Sequence, residues 1–138
     1  MKKHLFSLIA LGLLFATASA YAQSITVKAN IPFDFVVDKQ TMPKGEYKVE
    51  TIGSEGSNVL LITSADGTSK KLETVHSAQS VLNPMPSKLV FHRYGQDYFL
   101  SEVWSTNADS GYEFRQGQLE KELAKASSKS NVAVAALR

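Results

Sequence analysis

Residues 88–105, KLVFHRYGQDYFLSEVWS, constrain the fold more than any other stretch. They hold the only Trp (Trp104), two of the five Tyr and two of the seven Phe. Two apolar runs rich in aromatic and β-branched side chains flank Tyr94-Gly95-Gln96-Asp97, the pattern of a β-hairpin. Period-2 alternation puts Leu89, Phe91 and Arg93 on one face of the first strand and Val90, His92 and Tyr94 on the other. The second strand divides into Tyr98, Leu100, Glu102, Trp104 and Phe99, Ser101, Val103. Every face carries apolar residues, whereas a strand wetted on one side alternates more cleanly. The expectation is therefore a sheet covered on both faces or curled into a small barrel, with a slight preference for the barrel. Loop length sets the register. A two-residue loop at Gln96-Asp97 places Arg93 on the face of Glu102; a three-residue loop at Gly95-Gln96-Asp97 places His92 there. Either arrangement makes a cross-strand polar pair.

The same alternation runs through the rest of the chain. Ile25, Val27, Ala29, Ile31, Phe33, Phe35 and Val37 are all apolar and separated mostly by polar residues, the signature of a strand with one buried face. Pro32 cannot donate a ladder hydrogen bond, so this strand is expected to bend or break there into two pieces sharing one inward face. Asp34 alternates outward as a solvated carboxylate. Further strands are expected at residues 47–52, 58–63 and 69–76, separated by turns at Pro43-Lys44-Gly45, at 53–57 and at Asp66-Gly67. Asn83-Pro84-Met85-Pro86 breaks the chain before the hairpin. Tyr112 and Phe114 suggest one more short strand. Residues 118–126, QLEKELAKA, are the one good helix candidate, with Leu119, Leu123 and Ala126 on a stripe expected to dock on the sheet. Residues 127–138 read as a polar linker followed by a small apolar segment, either a closing strand or a loose tail. The predicted fold is all-β: a mostly antiparallel small barrel or sandwich of about seven or eight strands with one short C-terminal helix.

The start of the chain reads as an export signal. Met1-Lys2-Lys3-His4 is basic, Leu5 to Ala18 is apolar, and Ala18-Ser19-Ala20 and Ala20-Tyr21-Ala22 are small-x-small cleavage sites. Cleavage after Ala22, or after Ala20, leaves a single β domain over 23–126. The apolar run is shorter than the roughly 20 residues a spanning helix needs, and no Cys follows it to carry a lipid. The expected location is periplasmic or extracellular, with no membrane span once the leader is removed. An outer-membrane barrel is not expected, since most strands fall short of the roughly nine to eleven residues such barrels use.

Of 15 basic and 13 acidic side chains, Lys2 and Lys3 belong to the leader, which contains no acid. The remaining chain is formally balanced and gives no electrostatic footprint for nucleic acid. The absence of Cys excludes disulfides, thiolate catalysis and Cys-metal sites. There is no phosphate loop, no His-Glu-x-x-His helix and no Gly-x-Ser-x-Gly elbow. His76 and His92 have no ligand-spaced neighbours. No catalytic residue, metal or cofactor is assigned. The predicted function is a non-catalytic binding or structural module of the bacterial envelope. Its partner is expected to be a small apolar ligand or an envelope protein. The candidate ligand-binding residues are His92, Arg93, Tyr94, Tyr98, Glu102 and Trp104, which join aromatic bodies to polar tips. The alternative is a hydrolytic enzyme that uses a carboxylate with His92.

Three stretches together carry a resemblance: residues 29–35 (ANIPFDF), residues 43–47 (PKGEY), and LVFHRYG with YFLSEVW across the hairpin. The set resembles an uncharacterised family of small exported bacterial β proteins. The resemblance implies export and a β fold and no particular activity. Intact mass of the protein recovered from an envelope or culture fraction is expected to correspond to a chain beginning near Gln23; a mass that still contains Met1 to Ala22 contradicts export with cleavage.

Overall fold

The computed structural model describes residues 24–53, 57–80, 86–106 and 110–138. The expected leader and parts of the loops expected near 53–57, 79–86 and 106–111 lie outside the described residues. Ten strands form one mixed sheet: β1 (Thr26–Ile31), β2 (Phe35–Val37), β3 (Gln40–Met42), β4 (Gly45–Ile52), β5 (Val59–Ser64), β6 (Lys70–Gln79), β7 (Lys88–Tyr94), β8 (Asp97–Trp104), β9 (Ser110–Phe114) and β10 (Ser130–Ala135). Among the described residues one helix, α1, spans Gln118–Ala126. The all-β class with a single helix is as expected. The strand count exceeds the expectation because β2 and β3 are three-residue pieces and the C-terminal segment is a strand rather than a tail.

The sheet runs β1-β4-β5-β6-β9-β8-β2-β3, with β7 on the other edge of β8 and β10 outside β7. Every ladder is antiparallel except a single parallel bridge between Val36 and Phe99. The chain breaks at Pro32, as predicted, and Ile31, Phe35 and Val37 stay on the buried side of both pieces. Asp34 is exposed, and its Oδ1 accepts from the backbone N–H of Lys44 at 2.8 Å, which ties the break to the next turn. The Asp-Gly turn after β5 is held similarly. Asp66 Oδ1 accepts from Ser64 Oγ and from both the N–H and the hydroxyl of Thr68, which hold the carboxyl down at about 2.

The inner face of the sheet wraps one core. Val27 and Ala29 on β1, Tyr47 and Val49 on β4, Leu60 and Ile62 on β5, and Leu89, Phe91, Leu100 and Val103 on the hairpin are all buried in it. Phe35 meets Tyr47 and Phe91 edge to face at 5.0 and 5.5 Å, joining the two halves of the sheet. Curling brings β10 toward β1, where Leu137 N–H donates to the Lys28 carbonyl at 2.7 Å. No ladder forms between these strands, so the sheet is not closed into a barrel, and the preference for a barrel is corrected. The outer face of the hairpin is nevertheless buried at Val90, Tyr94 and Phe99, and Glu120 of α1 reaches His92 and Tyr94 there.

The hairpin register also differs from both expected alternatives. Tyr94 pairs with Asp97, so the loop is Gly95-Gln96, with Gly95 at φ 62°. A positive φ at the first position of a two-residue loop suits glycine and the right-handed strand twist. Glu102 then lies opposite Val90, on the face that Val90 shares with His92 but paired directly with neither His92 nor Arg93, because a bulge falls between Val90 and Phe91 and leaves Ser101 as the extra residue. Uninterrupted pairing would carry Glu102 to the core side opposite Leu89 and turn Val103 outward. The bulge instead places Val103 opposite Leu89, where it is fully buried. Burial of a valine in place of a carboxylate is the physical reason for the extra residue.

Beside the bulge, β9 packs against Trp104 at Gly111. A Cβ there would stand 2.5 Å from Trp104 Cε3 and 2.6 Å from the Val103 carbonyl oxygen. Gly111→Ala is expected to destabilise the protein by about 1–3 kcal/mol through overpacking, read as a lower urea midpoint; an unchanged midpoint contradicts this packing.

Candidate functional site

In the sheet β9 and β10 flank the β7–β8 hairpin, so the chain joining them has to cross it. Helix α1 is that crossing. It has nine residues and no side-chain cap at Gly117, and a helix this short is marginal alone. Of the two leucines expected to dock, Leu119 is 49% exposed and Leu123 is half-buried. The buried residue of the helix is Glu120, 5% exposed. The expectation that Leu119 and Leu123 seat the helix is therefore corrected at Leu119. The acidic side chain also lies in the first turn, where the helix dipole favours negative charge.

Glu120 Oε1 collects three donors. His92 Nδ1 stands at 2.7 Å, Tyr94 Oη at 3.1 Å and Gln116 Nε2 at 3.5 Å. On the far side of the imidazole, Ser101 Oγ lies 2.9 Å from His92 Nε2. A carboxylate only accepts, so Nδ1 donates to Glu120. In the neutral ring Nε2 is then the acceptor, and the Ser101 hydroxyl donates to it. The result is a hydroxyl–imidazole–carboxylate chain built from β8, β7 and α1. The bulge makes it possible, since it turns Ser101 toward His92 on the face that α1 covers. Ser101 is 4% exposed, and three clefts among the described residues are lined by other side chains. Burial, with the adjoining Glu120 charge and hydrogen bond, pushes the Tyr94 phenol up to about 12.

The six candidate residues do not form one site. His92 and Tyr94 belong to the chain under α1. Glu102 Oε2 accepts from the Trp104 indole at 2.7 Å, and Trp104 is buried against Gly111. Arg93 and Tyr98 pair on the opposite face. There the Arg93 guanidinium lies 5.4 Å from the Tyr98 ring centre, and Tyr98 stacks on Phe33 at 3.8 Å. Arg93 also donates to the Gly95 carbonyl at 2.7 Å. Sequence reading missed Ser101 and Glu120. For Ser101 the available signal was the conflict in alternation between Leu100, Glu102 and Val103. For Glu120 there was none, because it is 28 residues from His92 and looks like any exposed helix glutamate. Among the described residues no group of His, Asp or Glu is placed to hold a metal ion, and no helix is long and apolar enough to cross a membrane.

Glu120→Ala is expected to cost about 1–3 kcal/mol, because His92 and Tyr94 then lose a buried acceptor. Glu122→Ala, on the exposed side of the same helix, is expected to stay within about 0.5 kcal/mol. Equal effects in the two variants, measured by urea denaturation, contradict the docking described. The Tyr94 phenol gives a pH dependence as well. A folded-state value raised above the unfolded one, near 10, favours the neutral phenol in the folded protein. That contribution is complete below about pH 10 and is lost as pH rises toward about 12. Tyr94→Phe is expected to flatten the alkaline decline in stability over this range relative to the wild type; parallel declines refute the assignment.

No family model, curated protein or solved structure matches the chain.

Proposed function

We propose that the protein is an exported, non-catalytic binding or structural module of the bacterial envelope. In this reading the Ser101–His92–Glu120 chain is a clasp that seats α1 on the hairpin. The observation that supports it is burial: Ser101 is 4% and Glu120 5% exposed. A nucleophile has to meet its substrate, and the Ser101 hydroxyl is shielded from solvent. Export is supported by the three-part leader pattern.

One observation favours the alternative, a hydrolase using a carboxylate with His92. Hydroxyl, imidazole and carboxylate are hydrogen-bonded in the order that serine hydrolases use, with Glu120 rather than Glu102 as the acid. Activity-based labelling separates the readings. Incubation with a fluorophosphonate probe is expected to leave Ser101 unmodified, with no turnover of p-nitrophenyl esters. A stable adduct on Ser101, lost in His92→Ala, would establish the hydrolase and overturn the clasp as the sole role of these residues.

A further inference from the structure

On the solvent face of the sheet, away from α1, the register brings four residues into one row across four adjacent strands. Lys28 of β1 lies opposite Lys48 of β4, Lys48 opposite Thr63 of β5, and Thr63 opposite Lys70 of β6. All four line one open cleft of about 370 Å³. At a strand spacing of about 4.8 Å, Lys48 and Lys70 stand roughly 10 Å apart at their backbones, with Thr63 midway between them. Like charges directly opposite on a sheet destabilise it, yet Lys28 and Lys48 occupy such a pair. Lys on an edge strand protects against edge-to-edge association. That accounts for Lys28 but not for Lys48 or Lys70, which sit on interior strands.

A second, independent observation lies at the middle of the row. Thr63 Oγ1 is buried and has no hydrogen-bond partner among the described residues. A hydroxyl shielded from solvent and left unpaired is costly, and here it stands between two ammonium-bearing side chains. We infer that the Lys28–Lys48–Thr63–Lys70 row is a binding site for a phosphate-class oxyanion, with Thr63 donating to one oxygen and Lys48 and Lys70 closing on others. Three donors arriving from separate strands suit a tetrahedral group with an oxygen for each. Lys is a point-charge ligand for phosphate, whereas carboxylate recognition favours the planar fork of Arg. Lys28, one strand further on, is placed to take the second phosphoryl group of a diphosphate.

Acidic residues moderate the site without closing it. Glu46 lines the same cleft, and Glu50 bridges Lys48 at 3.0 Å. That bridge is largely solvent-exposed, 41% and 28%, and exposed pairs of this kind are easily exchanged for another anion. Lys28 and Lys70 have no ion pair among the described residues. The inference deepens the binding-module reading by naming a ligand class. It uses none of the residues of the clasp, so either can fail without the other.

The test is titration of the purified protein with sodium pyrophosphate, followed by calorimetry and by amide chemical shifts. The expected result is saturable binding that moves the signals of Thr63, Lys48 and Lys70, weakens with added salt and raises the melting temperature. Thr63→Val keeps the shape of the side chain and removes the hydroxyl. It is expected to weaken binding about tenfold, the loss of one hydrogen bond to a charged group, while melting no lower than the wild type. Lys70→Gln is expected to weaken it similarly, and Lys121→Gln on the exposed side of α1 to leave it unchanged. Sedimentation with phosphatidic-acid vesicles distinguishes sources: vesicle binding competed by pyrophosphate identifies a lipid headgroup, and pyrophosphate binding without vesicle capture identifies a soluble phosphate. Shifts spread over all lysines, equal affinity in Thr63→Val, or no saturable binding would each overturn the site, whatever the outcome of fluorophosphonate labelling.

Discussion

The placement of α1 depends on one buried oxygen. Glu120 Oε1 receives His92, Tyr94 and Gln116, and no other residue of the helix is buried. Removing a carboxylate from water is expensive, and such a group is tolerated only where donors replace its hydration. Here the donors come from β7 and from the chain just before the helix, so the requirement specifies where the helix must lie. A nine-residue helix with Leu119 half exposed has little apolar contact with which to hold itself. The clasp ties the helix to the outer face of the hairpin at His92 and Tyr94.

The bulge at Ser101 links this clasp to the core. The extra residue keeps Val103 opposite Leu89 in the interior and holds Glu102 outside, beside Trp104. The same insertion presents Ser101 to His92. Core packing and the polar chain therefore share one cause. A residue order that looks like catalytic machinery follows from satisfying a buried imidazole on both sides. Geometry of the hydrogen bonds does not separate a clasp from a catalytic centre; access to the hydroxyl does, and Ser101 is 4% exposed.

Two patches on the outer side of the sheet differ in their chemistry. Beside α1, Ser101, His92, Tyr94 and Glu120 are hydrogen-bonded to one another. The opposite part of the sheet carries Lys28, Lys48 and Lys70 in register around a hydroxyl with no partner. A buried network that is complete stabilises a structure, whereas an unpaired buried group is costly until it gains a partner. The Ser101 hydroxyl belongs to the first kind, and the Thr63 hydroxyl, unpartnered among the described residues, to the second.

The strand order of events along the chain was readable from residue pattern. Alternation from Ile25 to Val37, the break at Pro32, the Asp66-Gly67 turn and the aromatic hairpin are local features, and local sterics and burial act within a few residues. The all-β class with one short helix followed from them. What pattern did not determine was pairing between distant segments. The Gly95-Gln96 loop and the bulge set Glu102 opposite Val90, on the face of His92 but not paired with it, because the burial of Val103 outweighed regular register. Glu120 became the docking residue in place of Leu119, because the partner of a helix side chain is set by what it crosses and not by its own periodicity. The row from Lys28 to Lys70 exists only once four strands are aligned. Composition and period decided that this chain builds a sheet; the long-range register, which no window of sequence contains, decided which polar groups would meet.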